Sequence, residues 1–309
     1  MKAPLPSRGF SVRRELLRAL AGGLAVARVA GASTIAHALG LDPSWVELTH
    51  LYLRLPRLAP QFHGYRIVQI SDLHVEWLGQ ARLAQVVELA NASRPDLIVL
   101  TGDFVTATHP RVPDRLVPGL SGLRARDGVV AVLGNHDYWG RPGPGVVLSA
   151  LRDSGVTNLN NAVLTLERHG ATLHIAGLDS VRARRHRLDR VLEVLPTEGA
   201  AILLVHEPDY ADVAARTNRF DLQLSGHSHG GQVVLPVVGP PRLPPLARKY
   251  YSGLYRVGRM LEYTNRGIGM VGLPVRFCCR PEITLFTLET AHGRACADAP
   301  AALGQFSLD

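Results

Sequence analysis

Short apolar runs recur along the chain, and each is cut off by a polar or glycine-rich turn. Tyr65–Ile70, Asp96–Leu100, Val129–Leu133, Ala201–Val205 and Phe220–Leu224 are such runs. At that length, flanked by turn residues, they predict buried strands. Between the first two, Leu83, Val86, Val87, Leu89 and Ala90 follow helical spacing, which predicts a helix over 81–92 ended by Pro95. A second helix is predicted around 115–123. Leu51–Pro60 reads as an extended edge segment whose prolines limit its pairing. Val163–Arg168 and Thr172–Gly177 flank His169-Gly170 as a hairpin, and Leu261–Thr264 and Ile283–Leu288 supply the last strands. Strands alternating with helices predict an α/β layered fold, in which ligands gather at the carboxyl ends of the strands.

What terminates the five central strands is chemically uniform. They run in turn into Ser71-Asp72-Leu73-His74, Thr101-Gly102-Asp103, Gly134-Asn135-His136-Asp137, the lone His206, and Gly226-His227-Ser228-His229-Gly230-Gly231-Gln232. In extended backbone, alternate side chains share a face, so His227 and His229 are expected to aim their rings into one space. The neighbouring glycines permit tight turns and close approach. Each motif alone is an ordinary turn or cap. Together, in order and each at a strand end, they offer the mixed nitrogen and oxygen donors of a divalent transition-metal pair.

This ordered set resembles the calcineurin-like metallophosphoesterase superfamily, from about Tyr65 to Leu288. Finer features resemble its bacterial YkuE/YaeI-like branch. They are Ile70-Ser71-Asp72-Leu73-His74, the Gly226–Gln232 stretch, Arg276-Phe277 and Arg280-Pro281-Glu282-Ile283. The resemblance implies an α/β four-layer sandwich, with two mostly mixed β-sheets face to face, helices outside, and a dimetal site at strand carboxyl ends. It implies that Asp72, His74 and His229 hold one metal, that Asn135, His206 and His227 hold the other, and that Asp103 bridges both. A carboxylate can span two ions about 3.5 to 4 Å apart, and a shared water between them is acidified toward hydroxide, the expected attacker of phosphorus. His136 is the candidate for donating a proton to the leaving group or contacting the phosphoryl oxygen. Asp137 is expected to orient a ligand or His136, or to make a turn. The donor set suits Mn, Fe or Zn better than Mg or Ca. Protein phosphatases of the superfamily follow their Gly-Asp with a further aspartate and an arginine. Here Phe104-Val105-Thr106-Ala107 follows, which disfavours a phosphoprotein substrate.

Composition adds bounds. Hydrophobic content of 46% with 19% charged residues describes a globular chain. A net charge of +8 and a pI near 9.9 favour anionic partners. With aromatics at 6% and no basic stripe interleaved with them, nucleic acid is not the expected partner. Cys278, Cys279 and Cys296 are too few for a disulfide framework. Strand neighbours face opposite ways, so Cys278 and Cys279 should differ in burial.

At the N-terminus, Arg13-Arg14 precede the apolar run Ala19–Ala27, the pattern of an export signal, with Ala36-His37-Ala38 as a cleavage site. Arg28 interrupts the run, which argues against a spanning helix of about 20 apolar residues. The expected organisation is an export or membrane-associating segment over 1–45, a catalytic domain over 46–290 and a tail over 291–309. The expected location is the bacterial cell envelope, with a cytoplasmic protein as the alternative.

The apolar, Pro/Gly-rich stretch Val233–Leu246 contains Arg242 and is followed by Arg248-Lys249. Beside a metal site it could receive a lipid-bearing phosphate ester at a membrane surface, or serve only as a packed wall. Relatives with similar motifs hydrolyse UDP-diacylglucosamine, one candidate activity. A soluble nucleotide or nucleic-acid phosphodiesterase is the alternative, and a scaffold without catalysis the third; the presence of every implied ligand and of His136 argues against the third.

Overall fold

The computed structural model describes residues 46–291. The export-signal segment 1–45, with Arg28, and the tail beyond residue 291, with Cys296, lie outside the described residues.

Twelve strands form two six-stranded sheets. The first contains β1 (Glu47–Leu55), β2 (Arg66–Ile70), β3 (Leu97–Thr101), β4 (Val129–Val132), β5 (Thr157–Asn158) and β12 (Glu282–Thr290), in the order β1-β12-β2-β3-β4-β5. The second contains β6 (Ala162–Arg168), β7 (Ala171–Gly177), β8 (Ala200–Leu204), β9 (Leu222–Ser225), β10 (Gly253–Val257) and β11 (Met260–Thr264), in the order β10-β11-β9-β8-β7-β6. Antiparallel pairs join β12 to β2, β10 to β11 and β6 to β7; the other pairings are parallel.

Strand alternation builds the layers. Ile67, Leu97, Val99, Val130 and Val132 point inward and meet Leu173, Ile175, Ile202, Leu204, Leu222 and Leu224 of the facing sheet. Their neighbours Val68, Ile70, Ile98, Leu100 and Ala131 point outward to α2 (Gln80–Ala92), α3 (Val112–Leu120) and α4 (Gly145–Asp153), which follow the single-turn α1 (Val75–Leu78). On the opposite face, Ala176, Ala201 and Leu203 pack on α5 (Leu188–Val194) and α6 (Ala211–Ala214). The central strands are covered on both faces, which is why they read as unbroken apolar runs, while the outer strands β1, β6 and β10 keep an exposed face. The four-layer expectation holds.

Two boundaries differ from expectation. β1 begins at Glu47 and pairs with β12 over its whole length, so it is an edge strand with complete pairing, ended by Pro56. α3 starts three residues before the predicted position, with Pro113 in its first turn, where a missing N–H costs nothing. Cys278 is exposed and Cys279 buried, as strand alternation suggested, although Cys278 itself has left-handed backbone.

The sheet pairing fixes where chemistry can assemble. β2, β3 and β4 lie side by side and parallel, so their carboxyl ends share one edge; β8 and β9 do the same in the other sheet. Gln69, fully buried at the end of β2, ties these edges together. Its Nε2 donates to Thr101 Oγ1 in β3 (3.0 Å) and to the Ser225 carbonyl in β9 (2.9 Å). Among the described residues no helix is long and apolar enough to cross a membrane.

Candidate metal centre

All seven predicted ligands and His136 meet at that shared edge, buried to 8% exposure or less. Two groups of ligand atoms come within 4.8 Å of one another: Asp72, His74 and His229 form one, and Asp103, His206 and His227 the other. Asp103 lies between them. Its Oδ2 is 3.0 Å from His206 Nε2 and 3.7 Å from His74 Nε2, while Oδ1 accepts the His136 backbone N–H at 2.8 Å. Asp72 Oδ1 is 3.4 Å from His229 Nε2.

The backbone that presents these groups is not extended. Asp72, His74, Asp103, His227 and His229 all have left-handed φ, between 40° and 69°. Non-glycine residues rarely adopt that region, and clusters of them mark sites where function fixes the chain. This corrects the strand-alternation account of His227 and His229. Left-handed turns at each send the two rings to different groups, His227 toward His206 (ring centroids 4.9 Å) and His229 toward His74 (5.1 Å). Glycine is required where the turns close on carboxylates. A Cβ on Gly134 would sit 2.2 Å from Asp103 Oδ1, and one on Gly226 2.3 Å from Asp72 Oδ2.

Hydrogen bonds set the tautomers. His206 Nδ1 donates to the Thr101 carbonyl (2.7 Å), leaving Nε2 toward the site. His227 Nε2 donates to the Pro245 carbonyl (2.9 Å), leaving Nδ1, which faces His206 Nε2 at 3.2 Å. Two ring nitrogens so placed need a proton or a cation between them and their neighbours. His74 Nε2 and Asn135 Oδ1 are buried with no hydrogen-bond partner. Orphaned buried acceptors are costly unless something positive meets them. The residues therefore fit a pair of divalent cations.

The electrostatics agree. Burial holds His74 at about 3 and His227 at about 4, with the His206 charge adding to the second effect, and burial with the His74 charge depresses His229 strongly. These three imidazoles are neutral at pH 7, the form that binds metal. Burial opposes both charges of the Asp103–His206 pair, yet their mutual attraction overcomes it, raising His206 and lowering Asp103. Burial also pushes Asp72 up to about 6, against the lowering effect of His206. In the metal-free chain His206 thus carries a proton, which a cation must expel. Metal affinity is expected to fall as pH drops below about 6, where Asp72 also becomes protonated. Isothermal titration with Mn²⁺ or Zn²⁺ in buffers of differing ionisation enthalpy should detect proton release on binding.

Asp137, left open between two roles by the sequence, does the structural work of holding the Asp103 loop. Its carboxylate accepts the backbone N–H groups of Asp103, Phe104, Val105 and Gly134. Asp137→Ala leaves those donors buried and unmet at about 1–3 kcal/mol each. A fall in melting temperature and about a 10- to 100-fold loss of metal affinity are expected.

Some supports were not legible. Arg276, buried from a distant loop, donates to the carbonyls of Gly267, Gly269 and His229 and clamps the backbone behind His229. The Thr106 carbonyl accepts from His136 Nδ1 (2.8 Å), and the Trp139 ring lies 3.9 Å from the His136 ring. No local pattern marks these contacts. His174, which carries no ligand spacing in the sequence, is buried and hydrogen-bonded to Thr165 and the Glu198 carbonyl.

Comparison with known proteins bears on this geometry. The calcineurin-like phosphoesterase family model matches residues 65–231. The chain is 36% identical over 288 residues to the uncharacterized metallophosphoesterase YkuE of Bacillus subtilis, covering 91% of this chain and 98% of that one. It is 30% identical over 280 residues to phosphodiesterase YaeI of Escherichia coli, covering 89% and 98%. It is also 30% identical over 303 residues to the UDP-2,3-diacylglucosamine pyrophosphatase LpxG of Chlamydia trachomatis, covering 79% and 90%. Strand-end ligands converging from two sheets, and likeness along nearly the whole length of such relatives, have one explanation: the chain belongs to the calcineurin-like phosphoesterase family, in the YkuE/YaeI-like branch, and is a phosphoester hydrolase.

Proposed function

We propose that the chain hydrolyses phosphodiester or pyrophosphate bonds at a two-metal centre, acting on a lipid-linked or cell-envelope substrate of which UDP-diacylglucosamine is the model. Asp72, His74 and His229 hold one divalent cation, Asn135, His206 and His227 the other, and Asp103 spans both. The observation that carries this is the set of buried, inward-facing donors with two orphaned atoms, His74 Nε2 and Asn135 Oδ1, among them. Bound there, two ions supply Lewis acidity toward phosphoryl oxygens and acidify a water for attack on phosphorus. The chain's own part is positioning and proton management. Thr101 and Pro245 carbonyls fix His206 and His227 as acceptors toward the ions. His136 donates Nδ1–H to the Thr106 carbonyl, so it is as the imidazolium that it has an Nε2 proton to pass to the departing oxygen, returning to neutral imidazole.

The lipid reading is supported by the likeness to LpxG over most of both chains and by the exposed apolar residues of the Val233–Leu246 stretch. Purified protein would be assayed for metal content, for hydrolysis of chromogenic phosphomono- and diesters under added Mn²⁺, Fe²⁺ or Zn²⁺, and on short- against long-acyl UDP-diacylglucosamine. Diester cleavage that rises with acyl length is expected. Cleavage without acyl dependence removes the lipid part, and preference for cyclic nucleotides favours the nucleotide phosphodiesterase.

A further inference from the structure

The apolar stretch after His229 has a part that the metal centre does not use. Leu235 and Gly239 exchange both backbone hydrogen bonds (3.0 and 2.8 Å), closing a hairpin with Pro236, Val237 and Val238 at its tip. Val237 is fully exposed and Val238 75% exposed. Val237 also has φ 68°, an outlier for a β-branched side chain. A valine held in that backbone, where glycine is the default, and turned wholly to solvent contributes nothing to packing.

A second loop lies along the hairpin base. Val234 N–H donates to the Phe277 carbonyl and Phe277 N–H to the Gln232 carbonyl. The Gln232 amide donates to the carbonyls of Val271 and Leu273 and accepts from Val271 N–H. That loop exposes Leu273 and Pro274. The joined loops form one platform fixed to the metal-site backbone at both ends: Gln232 follows His229-Gly230-Gly231, and the Pro245 carbonyl accepts from His227 Nε2.

The charge left unpaired on the platform is positive. Residues 232–249 contain Arg242, Arg248 and Lys249 and no acid, with Lys249 paired to Asp212; in 263–281, Arg266 is paired to Glu282 and Glu47 and Arg276 is buried, so neither adds to it. Arg242 and Arg248 are exposed and form no ion pair among the described residues. Prolines at positions 236 and 274 remove backbone donors that would otherwise need partners on leaving water. A protein partner of ordinary affinity would need about 800 Å² of complementary surface, whereas this is a three-residue apolar hairpin tip with exposed cations in the segment that follows it. That shape suits a deformable anionic interface.

We propose that the Pro236–Val238 tip, with Leu273 and Pro274 of the loop joined to its base and the exposed Arg242 and Arg248 of the segment that follows, docks the protein on an anionic lipid bilayer by inserting among the acyl chains. This names the surface on which the proposed hydrolase works, and it rests on that reading for its purpose but not for its test.

The full chain would be mixed with phosphatidylglycerol/phosphatidylcholine vesicles and with phosphatidylcholine alone. In Val238→Trp, brominated acyl chains should quench the added fluorescence relative to wild type, whichever other segment also tethers the chain. Val237→Gly with Val238→Ser, in which glycine relieves the left-handed strain, should lower partitioning onto anionic vesicles about tenfold or more. Metal content, melting temperature and hydrolysis of a soluble chromogenic diester should stay unchanged. Absence of bromine quenching, or unchanged partitioning of the double variant, overturns the proposal. So does a change in sedimentation without a change in vesicle binding, which would make the tip a contact between copies. If wild type binds vesicles through the tip but cleaves no diester, docking stands and the proposed function falls.

Discussion

Asp103→Ala is expected to lose both metals and essentially all hydrolysis. Its carboxylate is within reach of both ligand sets, 3.0 Å from His206 Nε2 and 3.7 Å from His74 Nε2, and closer to the second set than Asp72, whose Oδ1 is 4.0 Å from His206 Nε2. Removing it deletes the proposed shared ligand and also the partner that keeps a buried, proton-bearing His206 at low cost. Two-metal stabilisation of the transition state is worth several kcal/mol, so a drop in kcat/KM of about 10³-fold or more is expected. Metal content by plasma emission spectroscopy separates this outcome from misfolding, which circular dichroism would report. The fold should persist, because the strands that carry the site are held by the apolar layer between the sheets. A variant that retained two ions and turned over normally would remove Asp103 from the centre.

His136→Ala is expected to behave differently, keeping both metals while kcat falls by about 10² to 10⁴-fold. His136 belongs to neither ligand group. Its ring packs edge-on to His74 at 5.0 Å between centroids and against Trp139. A loss in kcat with metal content and KM little changed would mark a group that acts on the departing oxygen. The defect should shrink for diesters with acidic leaving groups, which depart without a proton. Loss of metal instead of rate would reassign His136 as a ligand support.

The two variants also divide what was readable in advance. Asp103 could be named because Leu97–Thr101 is an unbroken apolar run ending in Gly102-Asp103, and a buried parallel strand must end in a turn. His136 could be named because it follows Asn135 in such a turn. Two of the flanking helices, α2 and α3, were legible from spacing to within a few residues, whereas α4, α5 and α6 were not read from the sequence. The strand-alternation account of His227 and His229 was not sound, because left-handed φ at both residues is imposed by the packing of Gly226 and Gly230 against Asp72 and Arg266.

The sequence by itself determined the candidate donors, since a donor's chemistry belongs to its side chain and the strand ends announce themselves as apolar runs that stop, and the family resemblance already implied their grouping. Only the tertiary structure decided how those donors are held. Gln69 locking the two sheet edges, Asp137 gathering four amides and Arg276 clamping the His229 loop are contacts between residues far apart in the chain. Local periodicity cannot encode such pairings, because they exist only once two sheets have closed on a common core and excluded the water that would otherwise satisfy each polar group alone.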